Sequence, residues 1–134
     1  MGRTELRQHI FKMLFLIEFN GKDEMSEQIE LYLEHLEDLS DKDRAYIESK
    51  YHSIVEKVEE IDEMLNAHTT GWKTTRMNKV DLTILRLATY EVKWDEDVPV
   101  GVAINEAVEL AKKYSGEEGP SFVNGVLGKL VNQE

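Results

Sequence analysis

The sequence predicts an all-α fold, and three observations carry that prediction. Apolar residues recur at helical spacing almost from end to end. No stretch alternates with period two for long enough to make a strand. Only two prolines, Pro99 and Pro120, stand as helix breakers. The expected architecture is one compact helical domain of about six to seven helices, spanning 1–134, in two three-helix-like subdomains of about 1–68 and 72–134. A chain of 134 residues has the commonest length of one domain and can bury one core.

Each element has its own signal. Leu6, Ile10, Leu14 and Ile17 form one apolar row, and Phe11, Phe15 and Phe19 form its neighbour. They predict a first helix from roughly Arg3 to Phe19, stopped at Asn20-Gly21. Ser26 is placed to cap a second helix carrying Ile29, Leu33 and Leu36. Ser40 opens a capping-box-like Ser-Asp-Lys-Asp at the head of a long third helix. Its buried stripe is Tyr46 or Ile47, Ile54, Val58, Ile61 and Leu65, with Glu56, Glu59, Glu60 and Glu63 facing water.

Gly71-Trp72 interrupts the pattern, and the division between the halves is expected near residues 67–75. Asn78 caps a fourth helix in which Val80, Ile84, Leu87 and Ala88 are joined by Leu82, Leu85 and Val92, so its apolar surface wraps most of the way round. Such a helix belongs at the centre. After a turn from Asp95 to Pro99, Val102 to Tyr114 form a fifth helix whose Ala103, Ala107 and Ala111 permit close contacts. It ends at Ser115-Gly116, and Pro120 suits the first turn of a sixth helix carrying Phe122, Val123, Val126, Leu127 and Leu130.

Charge is unevenly placed. Sixteen Lys and Arg against 27 Asp and Glu give −11, which argues against a protein that coats nucleic acid unaided. Residues 1–20 carry +1 and residues 71–86 carry +3, while residues 22–64 between them carry −10. The longest nearly uncharged stretch, Met13 to Ile17, is too short to cross a bilayer, and the N-terminus lacks a signal pattern. With no cysteine, disulfides and thiolate metal sites are excluded, and a cytoplasmic location is expected.

No motif supports catalysis. His9, His35, His52 and His68 lie in separate segments without the spacing of a metal helix, so they read as ordinary surface or half-buried residues. Glycines 116, 119, 125 and 128 match no phosphate-binding loop, and Gly125 and Gly128 read as close helix packing. The acidic pairs sit on solvated faces, and no serine occupies a nucleophile elbow. The chain is therefore read as a binding adaptor, not an enzyme, with no cofactor or metal. Asn105 and Asn124, inside apolar runs, read first as amides that satisfy buried backbone groups and second as residues fixing a ligand surface.

The candidate binding residues are few. Arg3 and Arg7 stand one helical turn apart, where both guanidinium groups can meet adjacent phosphates, with Lys12 and His9 nearby. Phe122 can offer a ring to an unpaired base.

The C-terminal half reads Val80-Asp-Leu-Thr-Ile-Leu-Arg-Leu-Ala-Thr-Tyr-Glu91, Asp97-Val-Pro99, Val102-Ala-Ile-Asn-Glu-Ala-Val-Glu-Leu-Ala-Lys-Lys-Tyr114 and Phe122-Val-Asn-Gly-Val-Leu127. With Arg3-Thr-Glu-Leu-Arg7, Met13-Leu-Phe15 and Glu18, these strings resemble the NusB family of bacterial transcription antitermination factors across essentially the whole chain. The resemblance implies an all-α fold of two helical subdomains. It also implies pairing with the ribosomal protein NusE to bind single-stranded boxA RNA in nascent ribosomal RNA leaders. The complex then joins the RNA polymerase elongation complex and suppresses premature termination. By the same resemblance, Arg3, Arg7, Lys12 and Phe122 would face RNA, and Phe15 and Asp81 would face NusE.

Two departures bear on this. Thr4 and Glu5 replace arginines of richer versions, which weakens intrinsic RNA affinity, and the segment from Gly116 to Phe122 is one residue short. Either Glu117 or Glu118 therefore matches the family's acidic position. The alternatives are a protein-only adaptor, a NusB-like relative serving ribosomal RNA modification, and a homodimer that hides the RNA surface.

Overall fold

The computed structural model describes residues 1–69 and 71–132. Thr70, within the expected division at 67–75, and residues 133 and 134, at the end of the expected domain, lie outside the described residues. Among the described residues there are seven α-helices, two short 3-10 turns and no strand. The helices are α1 (Arg3–Phe15), α2 (Lys22–Glu34), α3 (Asp41–Glu56), α4 (Val58–His68), α5 (Lys79–Trp94), α6 (Val100–Tyr114) and α7 (Gly119–Asn132). They fall into two compact units, one ending at Val55 and the other beginning at Glu56.

In the first unit, α1 buries Leu6, Ile10, Phe11, Met13 and Leu14, then tightens into a 3-10 turn at Leu16–Glu18. Regular α-helix thus stops at Phe15, four residues before the expected end at Phe19. The Asn20 amide donates to the Leu16 carbonyl at 2.9 Å and closes the turn. Helix α2 begins earlier than expected. The extended backbone of Gly21 caps it, Asp23 and Glu24 occupy its first turn, and Ser26 lies inside it. The Ser40 hydroxyl accepts from the Asp43 N–H at 3.1 Å, so the expected cap of α3 is present. Arg44 clamps α2 to α3, reaching both oxygens of Glu30 at 3.0 and 3.1 Å while holding Glu48 at 2.8 Å.

The long third helix of the sequence reading is two helices. The backbone of Lys57 leaves the helical region at φ −104° and ψ 1°, with no proline or glycine to announce it. Helix α4 then packs on α5 and α7, which places Ile61 and Leu65 in the second unit rather than the first.

In that second unit α5 is central, as its wide apolar surface predicts. It contacts α4, α6 and α7 and buries Leu82, Ile84, Leu85, Leu87 and Ala88. Arg86 grips both carboxylate oxygens of Asp62 on α4 at 2.8 and 2.9 Å. Helix α6 starts two residues early, at Val100, and packs Ala103, Ala107 and Ala111 against its neighbours, while α7 takes Pro120 in its first turn.

Two further expectations are corrected. A Cβ added at Gly125 or Gly128 would meet nothing within 4 Å, so neither glycine serves close packing. Asn105 and Asn124 are exposed, on the outward faces of α6 and α7, so neither amide satisfies a buried backbone. The glycine that does allow a close approach is Gly119, where a Cβ would collide with Ser115.

Candidate nucleic-acid interface

The second unit contains an open cavity of about 870 Å³. Its walls come from the end of α4, the 71–78 loop, the α6–α7 turn and the first turns of α7. The loop is held in place by main-chain anchors. Gly71 adopts φ 74°, a left-handed conformation that suits glycine. The Thr74 N–H donates to the Asn66 side chain at 2.8 Å, and Lys73 donates to the Asn66 carbonyl at 3.2 Å. Beneath, the buried Thr69 hydroxyl donates to the Leu65 carbonyl at 2.9 Å.

This anchored loop presents Trp72, which is 48% exposed. Its indole meets Phe122 edge to face at 6.3 Å, and the Arg76 guanidinium lies 5.9 Å from its ring centre. Lys129, two turns along α7 from Phe122, adds a second exposed cation to the lining, and exposed Glu117 and Glu118 stand on the α6–α7 turn. His68 also lines the cavity. A carbonyl can only accept, so Nδ1–H of His68 donates to Met64 at 2.7 Å and fixes the ring.

Asp81 forms the junction below. Its Oδ2 accepts from the Asn78 amide at 2.8 Å, while its own N–H donates to Asn78 Oδ1 at 2.8 Å, a reciprocal cap on α5. Its Oδ1 accepts from the Ser115 hydroxyl at 2.5 Å. Only 5% of Asp81 is exposed. Within the chain, the carboxylate braces the start of α5 against the end of α6.

The expected sites on α1 separate in a similar way. Arg3 and Lys12 are exposed. Arg7 is 5% exposed and engaged within the protein, so the pair of guanidinium groups expected to meet adjacent phosphates is not presented. Arg3 and Arg7 share one row with Phe11, but Arg3 is the first residue of α1, whereas Arg7 lies a turn further in, beside buried Leu6 and Ile10. His9 adds no cation either. Burial lowers its pKa, nearby Lys12 lowers it further, and Glu5 opposes both; its ring nitrogen Nδ1 sits 2.7 Å from the Tyr32 hydroxyl. Phe15 is half-buried, stacked on Phe11 at 6.2 Å and edge-on to Phe19 at 5.0 Å.

Among the described residues no group of His, Asp or Glu is arranged to hold a metal ion, and no helix is long and apolar enough to cross a membrane. The model of the NusB family matches residues 4–132. The chain belongs to the NusB family. The transcription antitermination protein NusB of Agathobacter rectalis is 51% identical over 98% of this chain and 100% of its own length. A solved structure of T. maritima NusB superposes with a TM-score of 0.88 at 31% identity, covering 100% of this chain and 93% of that one. Another, of antitermination factors NusB and NusE in complex with dsRNA, gives a TM-score of 0.78 at 25% identity over 98% of this chain and 97% of that one. The expected all-α NusB fold is thus the fold observed.

Sequence reasoning named Phe122 but passed over Trp72, Arg76 and Lys129. The signals were present: a tryptophan outside every apolar row and a net charge of +3 over residues 71–86.

Proposed function

We propose that this NusB-family chain is a cytoplasmic transcription antitermination adaptor. It pairs with NusE to hold boxA RNA in nascent ribosomal RNA leaders and supports processive elongation by RNA polymerase. The observation that carries the reading is the cavity of the second unit, where half-buried Phe122 stands among Arg76 and Lys129 in a chain that is otherwise strongly acidic. Aromatic faces beside cations suit unpaired bases and their phosphates, and carry no catalytic step.

The charge explains the division of labour. A protein of net −11 repels a polyanion at long range, so a basic ribosomal partner must supply much of the positive field. Exposed Arg3 and Lys12 contribute phosphate contacts from α1, and Phe15 belongs to the surface offered to NusE. Burial of Arg7 makes the chain more dependent on that partner.

The test is RNA binding by the chain with and without NusE, comparing boxA with a scrambled strand across a salt series. Selective binding only by the pair, weakening steeply with salt, is expected. Docking of NusE without any preference for boxA would leave a protein-only adaptor in its place.

A further inference from the structure

Trp72 is the least explained large side chain of the second unit. An indole normally contributes its area to a core, yet this one is 48% exposed, on a loop tied to Asn66 by hydrogen bonds from Lys73 and Thr74. Two neighbours give it a purpose. Phe122 packs edge-on against it and fixes its tilt. Arg76 sits 5.9 Å from the ring centre, where one guanidinium can both polarise the indole and take a phosphate.

Gly125 lines the same cavity from the second turn of α7. Neither backbone nor packing requires a glycine there: its φ is not left-handed, and a Cβ would enter open space. Glycine inside a helix costs about 1 kcal/mol relative to alanine. What its missing side chain does provide is room in the cavity that the aromatic pair also lines.

We infer that Trp72, with Arg76 and the gap at Gly125, is a stacking site for an unpaired base of single-stranded RNA. This rests on the adaptor reading and deepens it, because it assigns a base-holding position to residues outside those the family resemblance supplied. The base stacks on the indole, its phosphate lies toward Arg76 or Lys129, and the clearance above Gly125 admits the sugar. Glu117 and Glu118, on the α6–α7 turn that lines the cavity, repel phosphate, so the strand enters with its bases, not its backbone, toward that turn. The volume, about 870 Å³, lies within the range of sites that enclose small ligands.

The experiment uses the full chain with NusE and a labelled single-stranded boxA RNA. Trp94 is the only other tryptophan, so Trp94→Phe leaves Trp72 as the sole indole reporter. Stacking quenches that emission when RNA saturates the pair, and NusE alone leaves it unchanged. Trp72→Leu keeps apolar bulk without a π-face and lowers RNA affinity about tenfold, whereas Trp72→Phe recovers part of the loss. Gly125→Leu fills the clearance and lowers affinity by a similar factor, while its unfolding midpoint stays at or above that of the parent.

Emission unmoved by RNA, or quenched by NusE alone, overturns the stacking site. So do unchanged affinities in both Trp72→Leu and Gly125→Leu. If the parent pair still selects boxA in those cases, the adaptor reading survives without this site. If the parent pair binds no RNA, both readings fall together.

Discussion

Arg3 and Arg7 are the same residue type one turn apart on one helix, yet water reaches only the first. Arg3 opens the helix in water, whereas Arg7, one turn in, is 5% exposed and engaged within the protein. The two substitutions to alanine should therefore separate. Arg3→Ala is expected to weaken RNA binding by the NusE pair and reduce its salt slope by about one, with the unfolding midpoint unchanged. Arg7→Ala is expected to destabilise the fold by about 1–3 kcal/mol through lost packing and partners left unsatisfied. Urea unfolding and RNA titration on both variants check this, and equal stability would show that Arg7 is not structural. The row was legible in the sequence. The burial was not, because exposed Arg3 keeps the same four-residue spacing, and only the packing around the second turn of α1 separates the two.

Between helices, the informative junction is Asp81. Its carboxylate accepts from Asn78 on its own helix cap and from Ser115 at the end of α6, and Gly119 lets α7 start against that same serine. Three helix ends thus share one buried acid, and the cavity floor depends on it. Asp81→Ala should cost about 2–3 kcal/mol, because hydrogen bonds to a charged acceptor are worth more than neutral ones and two donors lose their partner. Ser115→Ala should cost about 1 kcal/mol, and the double variant less than the two summed, since one bond is removed by either change. Additive costs in urea unfolding would show that the Ser115 contact is not what joins the helices.

The elements themselves were largely readable. Asn78 and Ser40 announce their caps by residue type, and Ala103, Ala107 and Ala111 announce a packed face by spacing. The break at Lys57 was not readable, because apolar positions 54, 58, 61 and 65 keep helical phase across it. Partition of α4 into the second unit is set by tertiary packing on α5 and α7, which no local signal carries. Trp72 was missed for the opposite reason: it belongs to no period, and only the folded loop sets it beside Phe122 and Arg76.

At the scale of the whole molecule the dominant quantity is charge, −11 in total, with −10 concentrated between residues 22 and 64. Such a field acts beyond contact distance, over about 30 Å at 0.01 M ionic strength but only about 8 Å at 0.15 M. A basic ribosomal protein approaching this chain is therefore steered by acids it need not touch. Glu24, Glu27, Glu59 and Glu63 are exposed members of the block, and changing all four to glutamine moves the net charge from −11 to −7. The association rate with NusE is expected to fall several-fold at about 0.01–0.02 M salt and to converge with the parent near 0.5 M, the dissociation rate staying constant. Steering alone predicts that pattern, because it changes the encounter and not the bound contacts. Stopped-flow measurement of both rates decides the matter. A faster dissociation that persists at high salt would place these carboxylates inside the NusE contact, while rates unchanged at every salt would reduce the acidic block to a solvated face.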